Sequence, residues 1–313
     1  MKVLITGGTG YLGGALVGAL LAGGHRCVVF ARTASANAPR HELVEPVDGD
    51  VRDRDAVHRA AVGVDAICHA AALVSIWRAR AADFDEVNVG GLQNVIDACR
   101  AHGIARIVYT SSFLALPPAG RTTPITANDY QRTKVAGLAL ARGAVAEGTP
   151  VITLAPGVIY GPGRPSEGNL VGRLVHDHLA GRLPGIVGAD RIWSFTHVED
   201  VVRAHVAALT TARDEAEIIV GGENAPQVRL FEYLRELRGT PLPRRIPFRT
   251  AWVLAALEET RTRMSGRPPL LTRGTIEIFR HDWPLDSGPT ESGVSHRPIA
   301  LREGLRRLLE SEK

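Results

Sequence analysis

Lysine is scarce in this chain: Lys2, Lys134 and Lys313 are the only ones among 37 basic residues, and arginine fills the rest. Position 134 therefore keeps the one interior ammonium in a sequence that otherwise uses guanidinium. Cysteine is sparse as well. Cys27, Cys68 and Cys99 are odd in number and show no CxxC spacing, which argues against a disulfide framework and a zinc site. No apolar run approaches the roughly 18 residues of a membrane span. Neither HExxH nor GxSxG occurs, so zincin chemistry and a hydrolase nucleophile elbow are excluded. No basic, apolar leader precedes Val3-Leu4-Ile5, and a cytoplasmic protein without stable membrane association is expected. The net charge is +4, yet the arginines are scattered rather than blocked together, so no nucleic-acid partner is expected.

What is present is a globular composition, 45% hydrophobic and 22% charged over 313 residues. The first two-thirds alternate short β-branched runs with longer helical patterns, which implies βαβ units and a parallel sheet. Strands are predicted at Val3–Ile5, Arg26–Phe30, Leu43–Val47, Ala66–His69, Arg106–Thr110 and Val151–Leu154, with helices near 11–22, 53–61, 81–102 and 130–147. After Pro156-Gly157 the rhythm breaks into turns, a helix near 168–181 and a returning strand at Glu217–Val220. The expected fold is α/β: a Rossmann-type doubly wound parallel sheet with a smaller, interleaved C-terminal substrate-binding cap. Residues 1–155, joined by 195–225, form the dinucleotide-binding unit; 156–194 and 226–313 form the cap.

Directly after the first strand comes Thr6-Gly7-Gly8-Thr9-Gly10-Tyr11-Leu12-Gly13, opening a helix rich in Ala and Leu. Glycines in that place let backbone N–H groups approach a pyrophosphate, and the helix dipole favours its charge. An acid at the end of the second strand would clamp the ribose of NAD. Here that place reads Phe30-Ala31-Arg32-Thr33, and no Asp or Glu precedes Glu42. Arg32, helped by Thr33 or Ser35, suits a 2′-phosphate, so NADP(H) is the predicted cofactor. Asp50 and Val51 follow the third strand; they receive the adenine edge, or Asp50 caps the next helix.

Tyr130 and Lys134 stand four apart at the start of a helical pattern and share one face. An ammonium beside a phenol is expected to lower the phenol's pKa from about 10 toward working pH, making Tyr130 a proton carrier. Ser111 and Ser112 end the fifth strand at the sheet edge where ligands bind.

Taken together, the glycine motif, Ser111-Ser112, Tyr130-x-x-x-Lys134, Asn88-Val89-Gly90-Gly91-Leu92, His197-Val198-Glu199-Asp200 and Pro156-Gly157-Val158-Ile159-Tyr160-Gly161-Pro162-Gly163 resemble the extended short-chain dehydrogenase/reductases, the NAD-dependent epimerase/dehydratase superfamily. The resemblance spans nearly the whole chain and is greatest to the dihydroflavonol-reductase-like and hopanoid-associated sugar epimerase branch. It implies that Ser112 orients a carbonyl, with Ser111 as the alternate, that Tyr130 supplies the proton, and that Lys134 binds the nicotinamide ribose. It also implies cofactor contacts from Ala70, Ala71, Pro156, Gly157 and Val158. His69, before Ala70, either lies under the cofactor or is a hydrogen-bonded strand-end histidine. The family's dimers imply a homodimer through the helices near 81–102 and 130–147.

Two departures matter. Only 17 residues separate Ser112 from Tyr130, a short connection, and Phe113-Leu114 stands where the dehydratases carry an Asp-Glu pair, so dehydration is not expected. Trp77, Phe113, Leu114, Ile159 and Trp193 are the main candidates to line a substrate pocket, with Ile76, Leu116, Phe279 and Trp283 beside them. These favour a flat or greasy carbonyl compound over a sugar nucleotide, whose diphosphate asks for converging basic groups. The expected activity is NADPH-dependent ketone reduction. The alternatives are a nucleotide-sugar epimerase holding NAD and a non-catalytic dinucleotide sensor.

Three further segments carry weaker signals. His176-Asp177-His178 is read as a solvated helix, since residues two apart point in different directions, and no metal is expected. Asp200 is read as a helix cap. Thr250–Met264 is read as a helix across the cap or a pocket lid; Glu258 and Glu259 interrupt its basic face and weaken a membrane-surface reading.

Overall fold

The computed structural model describes residues 1–164, 166, 168–210, 216–286 and 298–311. Positions 211–215, 287–297 and 312–313 of the expected units lie outside the described residues.

Seven short strands form one parallel sheet: β1 (Lys2–Thr6), β2 (Arg26–Ala31), β3 (Val44–Asp48), β4 (Ala66–His69), β5 (Arg106–Thr110), β6 (Val151–Pro156) and, later in the chain, Glu217–Val220. The spatial order is Glu217–Val220, β6, β5, β4, β1, β2, β3. The order reverses between β1 and β4, which opens the crevice where α/β sheets bind ligands. Val3, Leu4 and Ile5, and Ala66, Ile67 and Cys68, are buried on both faces, as a covered parallel sheet requires.

Helices pack on both faces. α1 (Tyr11–Ala22) buries Gly13, Leu16, Val17 and Leu20, an i, i+3, i+4, i+7 stripe. α2 (Ala34–Asn37) is one turn, and α3 (Arg54–Ala60) begins at Asp53, whose carboxylate accepts from Ala56 N at 3.0 Å. The helix expected over 81–102 is not continuous. It consists of α4 (Ala82–Asp85), a π-helical turn at Glu86–Gly90 and α5 (Gly91–His102). α6 (Asp129–Ala146) is capped by Asn128, whose side chain accepts from Gln131 N at 2.8 Å.

Beyond β6 the chain forms β7 (Val158–Tyr160), α7 (Leu170–Leu179), β8 (Ile186–Val187), β9 (Ile192–His197) and α8 (Val198–Thr210), reaching the returning strand β10 (Glu217–Val220). β11 (Glu223–Pro226), α9 (Val228–Arg238), β12 (Arg245–Ile246), α10 (Phe248–Ser265), α11 (Arg273–Phe279) and α12 (Leu301–Ser311) follow. β11, β9 and β7 make a small second sheet, and β12 pairs with β8.

Two apolar clusters flank the large sheet, one under α3, α5 and α6 and one under α1 and α8. A third gathers Phe113, Leu114, Val158, Tyr160, Trp193, Phe195, Trp283, Leu301 and Leu305. The final helix joins this third cluster to α8. Asp200 accepts a hydrogen bond from Ile299 N at 3.0 Å and pairs with Arg203, while Arg307 reaches Glu199 at 3.0 Å. Asp200 is therefore a tie between segments rather than the cap expected from sequence.

Candidate active site

Thr6 and His69 end the two strands that diverge at the crevice and stand opposite each other in register. Ala71 N donates to Thr6 Oγ1 at 3.3 Å, and Thr6 Oγ1 lies 2.8 Å from His69 Nδ1. Burial, reinforced by Lys134, pushes the His69 pKa down to about 3, so the ring is neutral. This is the hydrogen-bonded strand-end histidine, the second of the two roles open from sequence.

The glycine loop begins here. Gly7 has φ +72°, and a Cβ there would sit 2.8 Å from Ala71 Cα; a Cβ on Gly13 would strike the Gly7 carbonyl. Both positions demand glycine for conformation or space. Gly10 opens α1 without a side-chain cap, and the first turn carries no acid. The N–H groups at this end are thus offered outward in a cradle suited to a pyrophosphate, and the residues present fit a dinucleotide. Thr9 and Gly10 lie on the loop, while Tyr11 and Leu12 pack against the α1–α8 cluster.

Around the expected adenosine end the structure modifies the sequence reading. Arg32 is exposed and forms no ion pair or hydrogen bond among the described residues. Its expected helpers are engaged: Ser35 donates to Asp48 through N (2.9 Å) and Oγ (2.7 Å), and Thr33 Oγ1 accepts from Asn37 at 2.8 Å. Asp48 ends β3 beside Ala31 in register, so an acid does reach the end of β2, supplied by the neighbouring strand. Asp50 pairs with Arg52 at 2.7 Å and holds its pKa low through that bond; the cap of α3 is Asp53, not Asp50. Val51 is buried, and its carbonyl accepts from Asn94 at 2.8 Å.

At the ends of β5 and β6 the chemical groups converge. Ser112 Oγ accepts from Leu114 N at 3.2 Å, which leaves its own proton free to donate. Lys134 is 3% exposed and donates to the Thr110 carbonyl at 3.1 Å; its Nζ lies 5.9 Å from the centre of the Tyr130 ring and 5.5 Å from that of Tyr109. Burial pulls the Lys134 pKa down to about 8.

Tyr130 departs from expectation. Burial pushes its pKa up to about 12, with hydrogen bonding to Ser112 pulling the other way. The rise comes from the apolar cluster against which the phenol packs, which takes it out of water. Ser112, rather than Ser111, is the serine the phenol feels. Ser111 Oγ and Tyr109 OH are buried, and Ser111 pulls against the rise that burial imposes on the Tyr109 pKa.

Asn88 sits in the π turn, a feature frequent at functional sites. Its amide brackets Leu73, accepting from N at 2.7 Å and donating to O at 3.2 Å, and donates to Thr133 Oγ1 at 2.9 Å. It links the segment after β4 to the turn of α6 that carries Lys134. Asn88 was visible only as part of a motif; its linking role and the positions of Asp48 and Tyr109 required the fold.

The substrate candidates separate into three places. Phe113, Leu114 and Trp193 are buried in the third cluster, with Phe113 edge-on to Trp283 at 5.5 Å and 6.1 Å from Trp193. Tyr130 packs against this group. Ile159 points to the opposite side, onto the α1–α8 cluster, while Val158 and Tyr160 face the third cluster, as strand alternation dictates. Trp77 is half-buried elsewhere, its backbone tied to the Ser75 hydroxyl. Gly157 approaches β9 so closely that a Cβ would lie 2.5 Å from the Ser194 carbonyl. Among the described residues no group of His, Cys, Asp and Glu could hold a metal, and no helix is long and apolar enough to cross a membrane. His178 stacks edge-on against Phe231, and Asp177 pairs with Arg182.

Residues 3–221 match the family described as the NAD dependent epimerase/dehydratase family. The chain is 31% identical to the 2-alkyl-3-oxoalkanoate reductase of Stenotrophomonas maltophilia, covering 99% of both chains. It is 35% identical to sterol demethylase protein B of Methylococcus capsulatus, over 96% of this chain and 93% of that one. Among solved structures, gox2253 superposes with a TM-score of 0.81 at 26% identity, covering 99% of this chain and 97% of that one. The UDP-glucose 4-epimerase of Thermotoga maritima shares the fold, with a TM-score of 0.80 at 20% identity and coverage of 100% and 98%.

Proposed function

Because this chain belongs to the NAD dependent epimerase/dehydratase family and is an oxidoreductase of the extended short-chain dehydrogenase/reductase type, we propose that it is an NADPH-dependent ketoreductase for a hydrophobic carbonyl compound. A bound nicotinamide dinucleotide supplies the hydride. The Ser112 hydroxyl donates to the carbonyl oxygen of the substrate and fixes its position. Tyr130 gives its phenolic proton to that oxygen as the carbon accepts hydride, and an alcohol results. Lys134 holds its ammonium beside the phenolate that remains and stabilises it. A phenol raised to about 12 carries its proton at neutral pH, as a proton donor must.

The observation that carries the substrate class is the packing of Tyr130 against the apolar cluster that holds Phe113, Leu114, Trp193 and Trp283. These side chains offer dispersion and aromatic contacts rather than the fixed positive charge that a diphosphate asks for. The names of the 31% and 35% identical relatives, an oxoalkanoate reductase and a sterol demethylase, support the same class. Arg32, exposed and unpaired, supports NADPH. In this reading residues 156–194 and 226–313 form the substrate cap over the dinucleotide unit, the protein acts in the cytoplasm, and two copies pair through α5 and α6.

The test measures NADPH oxidation by the pure protein with a long-chain 3-oxo compound and with UDP-glucose. Turnover of the ketone alone is expected. Tyr130→Phe should lower kcat by at least ~100-fold with little change in dinucleotide affinity. Arg32→Ala should raise KM for NADPH by roughly 10-fold or more, leaving that for NADH nearly unchanged. Interconversion of nucleotide sugars without NADPH consumption would overturn the proposal.

A further inference from the structure

α10 is built inside out. Its inward face carries small residues, Ala251, Ala255 and Thr262, which pack with Ile276 of α11 and Val187 of β8. At about 100° per residue, the direction opposite those three is occupied by Val253, Leu257 and Met264. These are 58%, 62% and 86% exposed. Leu254 and Trp252 flank the stripe and are exposed as well. An ordinary surface helix puts its large apolar side chains inward and its polar ones outward; beyond Phe248, which packs inward, this one turns its large apolar side chains outward.

The charges around the stripe are of one sign. Between Arg244 and Arg273 the chain carries seven arginines and two glutamates. Both glutamates are neutralised: Glu258 pairs with Arg261 at 2.7 Å, and Glu259 with Arg273 at 2.8 Å. The sequence objection to a basic face is thus removed, since the acids are consumed within the fold. Arg244, Arg249, Arg263 and Arg267 form no ion pair among the described residues. Trp252 lies under Arg273 and Arg280 at 6.0 and 5.5 Å, an amphipathic ring between a cationic layer and an apolar one.

We infer that this face of α10 docks reversibly on an anionic lipid surface, lying in its plane. Val253, Leu257 and Met264 enter the acyl boundary, and the unpaired arginines meet lipid phosphates. Self-association through the same face would oppose Arg249 and Arg263 to their own copies, so charge favours lipid over a second chain. The surface is separate from the site around Tyr130, and the inference does not depend on the substrate proposed above.

Flotation with vesicles of phosphatidylglycerol and phosphatidylcholine, against phosphatidylcholine alone, tests the inference. The full chain should float with the anionic vesicles, at least about fivefold more than with the neutral ones, and high salt should release it. Blue-shifted tryptophan emission should accompany binding, and Trp252→Phe should remove the shift. Leu257→Glu should abolish flotation while leaving thermal unfolding and turnover of a soluble ketone unchanged. Equal flotation of Leu257→Glu and the parent, no flotation of either, or self-association that Leu257→Glu dissolves in place of vesicle binding would each overturn it.

Discussion

Asn88 donates its side-chain amide to the Thr133 hydroxyl at 2.9 Å, and through that bond a residue of the π turn fixes the helical turn carrying Lys134. The same amide satisfies both polar groups of Leu73, so three hydrogen bonds, one buried and two part-buried, depend on one side chain. Asn88→Ala should destabilise the fold by about 2–3 kcal/mol, read from urea unfolding. It should also lower kcat roughly 10-fold with dinucleotide affinity less affected, because Lys134 loses its support rather than its charge. Asn88→Asp, which keeps the acceptor for Leu73 N, should retain part of the stability. An Asn88→Ala enzyme with unchanged kcat would show that the link is structural only.

The Lys134 ammonium sets an upper pH limit. Desolvation favours its neutral form and brings its pKa from 10.5 to about 8, so the charge beside Tyr130 is present below that value and lost as pH rises through it. The profile of kcat/KM should therefore fall above about pH 8 with one ionisation. Lys134→Arg should displace that limb upward, since a guanidinium stays charged, although its different shape should lower the plateau. A limb unmoved by this change would assign the ionisation to another group.

Acid should destabilise the protein through two neutral histidines. His205 accepts from the Thr110 hydroxyl and donates to the Val201 carbonyl, each at 2.8 Å; burial pulls its pKa down to about 4, and that of His69 to about 3, from 6.5. Because the folded values are depressed, the unfolded chain binds protons first. The stabilising contribution is complete above about pH 6.5 and declines as pH falls toward 4. Each histidine should remove about 1.4 kcal/mol per pH unit within that window. Urea midpoints measured from pH 7 to 5 should show this slope, and His205→Gln should reduce it. A slope that His205→Gln leaves intact would place the acid sensitivity elsewhere.

The parallel sheet was legible because its strands are short β-branched runs separated by helical patterns, and the crevice followed from a glycine loop between β1 and α1. The Tyr130–Lys134 pair was legible not from its spacing alone but from the scarcity of lysine elsewhere and from the place of its helix after β5. What sequence did not carry was everything set by neighbours far along the chain. Asp48 reaches the end of β2 only because β3 pairs beside it, so no search of β2 itself finds an acid. The phenol was expected to fall in pKa and rises instead, since it packs against an apolar cluster assembled largely from residues far along the chain. The π turn at Asn88 leaves the apolar periodicity intact, and the segment therefore reads as one helix. Ile159 was grouped with Phe113 by proximity in motif, whereas strand alternation turns it to the other side.

The contacts of Asp200 with Ile299 N and of Glu199 with Arg307 have a mechanical meaning. The final helix belongs to the third apolar cluster by its leucines, and Arg307 and the Ile299 that leads into it tie it to α8, so it works as a bolt between that cluster and α8. Wide hinge opening would have to withdraw that bolt and leave a buried carboxylate without the backbone N–H it now accepts. The third cluster and α8 are thereby held to each other, and any opening between them has to break both contacts together.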